Sequence, residues 1–298
     1  MFTQGMVIHE TYRDKAGEWV MPDEVRFVDN GDGDRRAVSA ATGEPVTIGP
    51  AEKMSKSKKN TVDPVSFISH YGADTVRWFV LSDSPPERDV LWTEEGVQGA
   101  WRFSQRVWRL IDEAASAGAK KGAKVPAELS PAAQELRRAT HKALDGVGRN
   151  IEGLRFNTAI AAIYDLANKL GAALQGRKSA KDASLDWVLR ESAELMTQMF
   201  APMMPHLAEE CWARLGYNSP VVKQAWPEAD KALLVDDQIT IAVQVNGKRR
   251  DELLISREAS AADVEAAALS LDGVKRAIEG RAVKKVIVVP QRIVNVVA

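Results

Sequence analysis

Between residues 93 and 217 apolar positions recur at helical spacing, and from residue 239 they recur at every second position. Thr93 can cap a first helix, with Glu94 and Glu95 in its first turn. Val97, Trp101, Ser104, Trp108 and Ile111 follow a 4-3-4-3 spacing, which predicts that both tryptophans belong to its buried face. Ser130-Pro131 opens a second helix with Leu136, Thr140, Leu144, Val147 and Ile151 on one face. A third runs over 157–174 through Ile160, Ile163, Leu166 and Leu170, and a fourth over 184–200. Pro202 and Pro205 break the fourth, and a last helix over 206–215 ends at Gly216. Consecutive amphipathic helices with short links predict an antiparallel bundle. Within it His206 reads as a capping or packing residue, and Cys211 as buried and inert.

In the alternating region, Ile239, Ile241, Val243 and Val245 are separated by polar or small residues. Asn246-Gly247 signals a type I′ hairpin, with Leu253 and Ile255 on the return strand. Ser260 with Asp263 resembles a capping box and starts a helix. Two more strands follow, over 284–289 and 292–297, around Pro290-Gln291. The expected product is a small ββαββ domain over 236–298, reached through a linker over 218–235 that contains Pro220 and Pro227. Residues 1–92 are mixed. They show strand character over 19–29 with a turn at Met21-Pro22-Asp23, a loop over 29–33, a short strand over 45–49 and a lysine-rich loop over 53–60. Asp63 and Pro64 then start a helix that stops at Tyr71-Gly72, and another covers 74–81. The fold class is mainly α with α+β parts.

Composition narrows the class. The 298 residues suffice for two or three domains. No run of 18 apolar residues crosses a membrane, and residues 1–10 lack the pattern of a signal peptide. The single cysteine, Cys211, rules out an internal disulfide and a multi-cysteine zinc site, so a cytoplasmic protein with no bound metal is expected. The net charge of −1 does not point to nucleic acid, but it is unevenly spread: −4 over 1–92, +3 over 93–225 and +1 over 236–298. A polyanion would prefer the later segments.

Chemistry concentrates in Lys53-Met54-Ser55-Lys56-Ser57. A five-residue match of this kind arises by chance with probability on the order of 10⁻⁴ in a chain this long. It resembles the second signature of class I aminoacyl-tRNA synthetases. The physics suits that role: amino-acid activation expels pyrophosphate from ATP, and mobile ammonium groups that approach the developing charge stabilise the transition state more than the ground state. Lysine supplies a compact charge on a flexible stem. The resemblance implies that Lys56 is the main ATP contact, assisted by Lys53, with Met54, Ser55 and Ser57 completing the ATP-binding loop and Lys58 and Lys59 outside the core signature.

The resemblance continues through Thr61-Val62-Asp63-Pro64, through Tyr71-Gly72-Ala73-Asp74-Thr75-Val76-Arg77 and through Phe200-Ala201-Pro202-Met203-Met204-Pro205-His206. Ser84-Pro85-Pro86-Glu87-Arg88-Asp89, Phe156-Asn157-Thr158-Ala159-Ile160 and Thr240-Ile241-Ala242-Val243-Gln244-Val245-Asn246-Gly247-Lys248 are similar to the leucyl-tRNA synthetase family of bacterial type. On that resemblance residues 1–92 are the C-terminal part of a catalytic domain with junction helices, 93–217 a bundle of anticodon-binding type, and 236–298 a tRNA-binding domain set against the outer corner of the tRNA. It implies leucine, ATP with Mg²⁺ and tRNA(Leu) as substrates. The inserted domain that some relatives carry before the lysine signature is expected to be absent or reduced to a short hairpin. The first class I signature, a His-x-x-His pattern, does not occur among His9, His70, His141 and His206. These 298 residues alone are therefore expected not to form leucyl-adenylate, and a separate N-terminal synthetase half is a candidate partner. A stand-alone tRNA-binding protein derived from a synthetase is the alternative. Candidate phosphate contacts are Arg102, Arg106 and Arg109, placed opposite the tryptophan face; Arg137, Arg138 and Lys142; and Lys248, Arg249 and Arg250 after the hairpin turn. The two helical groups read equally well as solvated faces.

Overall fold

The computed structural model describes residues 5–29, 35–179, 181–235, 238–257 and 259–298. Most of the loop expected over 29–33, and the start of the expected last domain at Asp236, lie outside them. The chain divides into two compact units, Met1–Ala229 and Asp230–Ala298. Among the described residues no helix is long and apolar enough to cross a membrane.

The first unit opens with short strands: β1 (Val7–His9), β2 (Tyr12–Arg13), β3 (Trp19–Val20), β4 (Val25–Asp29), β5 (Arg35–Ser39), β6 (Thr47–Ile48) and β7 (Glu52–Lys53). Helices α1 (Pro64–Tyr71) and α2 (Ala73–Asp83) and strand β8 (Val90–Leu91) follow. β1 lies between β7, antiparallel with Ile8 opposite Lys53, and β8, parallel with Val7 opposite Val90. Ahead of the lysine loop β4 pairs antiparallel with β5. Asp63 caps α1 by accepting from the Val65 N–H at 2.9 Å, with Pro64 in the first helical position as its sequence predicts. Gly72 ends α1 at φ +86°, a backbone angle that disfavours any side chain, and so lets α2 restart at once.

The bundle consists of α3 (Glu94–Ala117), α4 (Pro131–Glu152), α5 (Phe156–Ser179), α6 (Ala183–Phe200) and α7 (Pro205–Arg214). Ile111, Leu144, Ile160, Ile163, Leu170, Leu189 and Phe200 are sealed in one core. The expected tryptophan face of α3 needs correction. Its core stripe is Val97, Ala100, Phe103, Val107, Leu110, Ile111 and Ala114, while Trp101 is 41% exposed and Trp108 only partly buried. The tryptophans ride on the flank of the true stripe, and Trp101 turns an edge to Tyr71 at 6.2 Å. The fully buried tryptophan is Trp78 of α2, whose ring stacks on Phe103 at 5.1 Å and whose Nε1 donates to the Tyr164 hydroxyl at 3.1 Å. Burial raises the Tyr164 pKa, partly offset by that hydrogen bond. Cys211 is buried, and desolvation pushes its thiol up to about 12. A thiol held protonated is a poor nucleophile.

One residue ties two helix starts together. Asp182 accepts from the Ser184 and Leu185 N–H groups at 3.0 Å and so caps α6. Its other oxygen accepts from Ser130 Oγ at 2.5 Å, and Ser130 itself caps α4. The Ser130 and Ser184 hydrogen bonds hold the Asp182 carboxyl down at about 2. Its folded pKa is thus below its unfolded value, so its stabilising contribution is complete above pH ~4 and is lost as pH falls toward 2. Asp182→Ala is expected to destabilise the bundle by about 1–2 kcal/mol at pH 7. Urea denaturation of the two proteins at pH 7 and at low pH checks this, since the difference should shrink in acid.

The second unit holds β9 (Gln238–Val245), β10 (Lys248–Ser256), α8 (Ala261–Ser270), α9 (Asp272–Ile278), β11 (Lys285–Val289) and β12 (Ile293–Val297). Asn246 and Gly247 take φ of 50° and 79°, as a type I′ turn requires. The sheet order is β10-β9-β12-β11, with β12 parallel to β9. Ile241, Val243, Val245, Leu253, Val294 and Val296 share a core with Val264 and Val274 of the helices. The expected ββαββ order is therefore ββααββ. Leu271 is extended and ends α8, and Gly273 then lets α9 lean on β10: a Cβ there would stand 2.6 Å from the Arg250 carbonyl oxygen. In that close approach the Gly273 N–H donates to Asp251 Oδ2 at 3.0 Å.

Candidate functional site

The lysine loop is suspended between β7 and α1 by one buried side chain. Asn60 is fully buried, and its amide Nδ2 lies 3.2–3.4 Å from the carbonyl oxygens of His9, Glu52 and Lys53. Its Oδ1 accepts from the Ser55 N–H at 2.8 Å. Asn60 thus bonds the end of β1, the strand β7 and the loop at once. An amide is the side chain that can donate on one side and accept on the other. Ser55 caps a single 3₁₀ turn over Lys56–Lys58, with its Oγ 3.4 Å from both the Lys58 N–H and Ser57 Oγ. Lys59 closes the turn at φ +52°. Met54 anchors the loop by packing against the main apolar core of the first unit.

This frame sorts the lysines. Lys53 belongs to β7 rather than to the expected loop and is exposed. Lys56 and Ser57 are exposed at the start of the 3₁₀ turn. Lys58 is ion-paired with Glu52 on β7. Lys53 and Lys56 therefore present exposed side chains on either side of Ser55, and Lys59 is exposed at the end of the turn, while Lys58 braces it. A cleft of about 590 Å³ near the end of β1 carries Glu10, Asp23, Asp63 and Glu94 and neither lysine nor arginine among its described lining. Its charge makes it a poor seat for a polyphosphate.

The candidate phosphate contacts separate in the same way. Arg102 and Arg109 are exposed on the outer face of α3, whereas Arg106 is half-buried and reaches the Ala167 carbonyl at 3.4 Å. Arg137 pairs with Glu191 at 3.1 Å and lies 5.5 Å from the Trp187 ring centroid, so it joins α4 to α6. Arg138 and Lys142 are half-buried and engaged in contacts of their own. Lys248, Arg249 and Arg250 are all exposed at the start of β10, where the register shifts, and Arg249 pairs with Glu252. Arg102, Arg109, Lys248 and Arg250 are the best-presented of the nine.

The sequence gives no sign of what Asn60, Asp74 and Arg77 hold, although Asp74 and Arg77 lie in a stretch that carries the family resemblance. Asn60 follows a run of lysines and reads as loop; only its burial marks it. Asp74 and Arg77 bind residues more than 120 positions away.

The model of the anticodon-binding domain of tRNA ligases matches residues 133–266, and that of class I tRNA synthetases for isoleucine, leucine, methionine and valine matches 46–93. The chain is 57% identical over its whole length to 34% of a leucine–tRNA ligase of Methylocella silvestris. It is 52% identical to 34% of the Azorhizobium caulinodans ligase and 54% identical to 33% of that of Parvibaculum lavamentivorans, again over its whole length. It thus spans about a third of the length of the curated relatives it matches. A crystal structure of a leucyl-tRNA synthetase of Agrobacterium radiobacter K84, in a ternary complex with tRNA and LeuAMS, superposes with a TM-score of 0.67 at 30% identity, covering 83% of this chain and 31% of that one.

Proposed function

We propose that the chain is part of a leucine–tRNA ligase, about a third of whose length it spans in its curated relatives, and that it serves the ATP-dependent joining of leucine to tRNA(Leu). The observation that carries the proposal is the intact Lys53–Ser57 loop, held by Asn60 beside a bundle that matches the anticodon-binding family. In the activation step a leucine carboxylate oxygen attacks the α-phosphorus of ATP, presented with Mg²⁺ as substrate, and pyrophosphate leaves. Lys56, with Lys53 behind it, meets the charge that grows on the transferred and departing phosphates. Ser55 and Ser57 shape the turn and can donate to phosphate oxygens. Catalytic work by the loop needs the adenosine- and leucine-holding part of a whole ligase, so the chain acts in company with that part. The bundle and the second unit hold the tRNA, through Arg102 and Arg109 and through Lys248 and Arg250.

The test joins this chain to the remaining two-thirds of the Methylocella silvestris relative. Leucine-dependent charging of tRNA(Leu) is expected, and its absence from a folded product overturns the proposal. In the joined enzyme, Lys248, Arg249 and Arg250 changed together to alanine should lower the salt slope of tRNA binding by about 1.5–2.5, at roughly 0.7–0.9 per contact. The decrement falls short of three contacts because Arg249 is partly spent on Glu252. Filter binding across a salt series measures it, and an unchanged slope removes this turn from the tRNA interface.

A further inference from the structure

Helices α3, α4 and α6 begin on their own capping side chains, Thr93, Ser130 and Asp182. Helix α7 does not. It begins on Met204, which makes no side-chain cap, and Pro205 follows. Its cap comes instead from α2. Asp74, nine-tenths buried, accepts from the Leu207 N–H at 2.7 Å with one oxygen and lies 2.9 Å from His206 Nδ1 with the other. One turn along α2, Arg77 donates to the Met203 carbonyl at 3.1 Å and to the Pro202 carbonyl at 2.8 Å, just past the end of α6. A carboxylate thus meets the positive end of α7, and a guanidinium meets carbonyls beyond the negative end of α6. Both charges sit on one short helix that α1 connects to the lysine loop.

We infer that Asp74 and Arg77 are positioning residues for tRNA charging: they set the α6–α7 turn, and with it the tRNA-holding bundle, at a fixed place relative to the lysine loop. The inference rests on the function proposed above. Apolar packing through Trp78 already holds α2 to Phe103 of α3 and Tyr164 of α5. Such packing is non-directional and tolerates small rotations. Four hydrogen bonds to 202–207 do not, because each has its own direction. Released from the clasp, the bundle still binds tRNA but presents its acceptor end in many placements, few of them reactive. Amino-acid activation, which does not require the tRNA to be placed, is left untouched.

The experiment uses the joined enzyme and compares two rates. Asp74→Ala and Arg77→Ala are expected to lower kcat/KM for tRNA charging about tenfold to a hundredfold, the scale of an ångström-sized misplacement. Leucine-dependent pyrophosphate exchange should stay within about twofold. Asp74→Asn keeps an acceptor for the Leu207 N–H and should recover most of the charging. Arg77→Lys, which loses the fork geometry, should recover part. Should the alanine variants fail to fold, Arg77→Lys carries the same comparison, with charging reduced severalfold and exchange intact. If exchange and charging fall together, the residues are merely structural and the inference is overturned. Unchanged charging overturns it as well. Should the unmodified joined enzyme fail to charge tRNA(Leu), the proposed function falls and this inference with it; charging by the unmodified enzyme alongside normal clasp variants defeats this inference alone.

Discussion

Lys56→Ala in the joined enzyme is expected to slow leucyl-adenylate formation roughly a hundredfold, a loss of about 3 kcal/mol from the transition state. The affinity for tRNA(Leu) should change by no more than about twofold. Lys56 stands at the head of the 3₁₀ turn with its side chain in solvent, where an approaching polyphosphate can recruit it. Its charge matters most once pyrophosphate begins to leave, so kcat for activation falls more than KM for ATP rises. Lys58 supplies an internal comparison. Its ammonium is engaged by Glu52, and Lys58→Ala should cost activation only severalfold, through a looser turn. Pre-steady-state adenylate formation distinguishes the two, and equal losses at Lys56 and Lys58 would falsify the division of labour.

Asn60→Asp is expected to be almost as damaging although it adds no bulk. The carboxylate can still accept from the Ser55 N–H, but it cannot donate to the carbonyls of His9, Glu52 and Lys53. A buried negative charge would then face three carbonyl oxygens, and leaving such groups unsatisfied costs about 1–3 kcal/mol or more where a charge is involved. The cheapest escape is for the loop to leave β1, which displaces Lys56 from its station. Activation should fall at least tenfold at pH 7.5 and recover in part toward pH 5.5, as the carboxyl regains a proton that it can donate. Asn60→Ala, which removes the bracket without adding charge, should be milder and insensitive to pH over that range. A pH-independent Asn60→Asp defect would contradict this account.

Local signals in the chain found most element starts. Asp63, Thr93, Ser130 and Ser260 each cap a helix within three residues of themselves, and the Asn246-Gly247 turn sits between the two strands it joins. The errors share a cause. On α3 two neighbouring stripes both satisfy helical spacing, and the true one contains Ala100 and Ala114, whose small side chains give little hydrophobic signal beside two tryptophans. The break at Leu271 has no local signal because the partner that requires Gly273, the Arg250 carbonyl, belongs to another element.

The site divides along the same line. The run Lys53 to Ser57 declares its chemistry through composition, since charge and hydroxyls on small or flexible side chains are properties of residues, and so the sequence by itself determined which chemistry was available. Which lysines are free, which one is spent on Glu52, and why the turn stands where it does were decided by Asn60, Glu52 and β1. Likewise Arg137 reads as a cation until Glu191 takes it up, and Asp74 and Arg77 read as ordinary helix residues until the α6–α7 turn arrives to be held. A side chain's identity is local, but its desolvation and its partners come from segments tens to more than a hundred residues away, and only the folded chain brings those within hydrogen-bond distance.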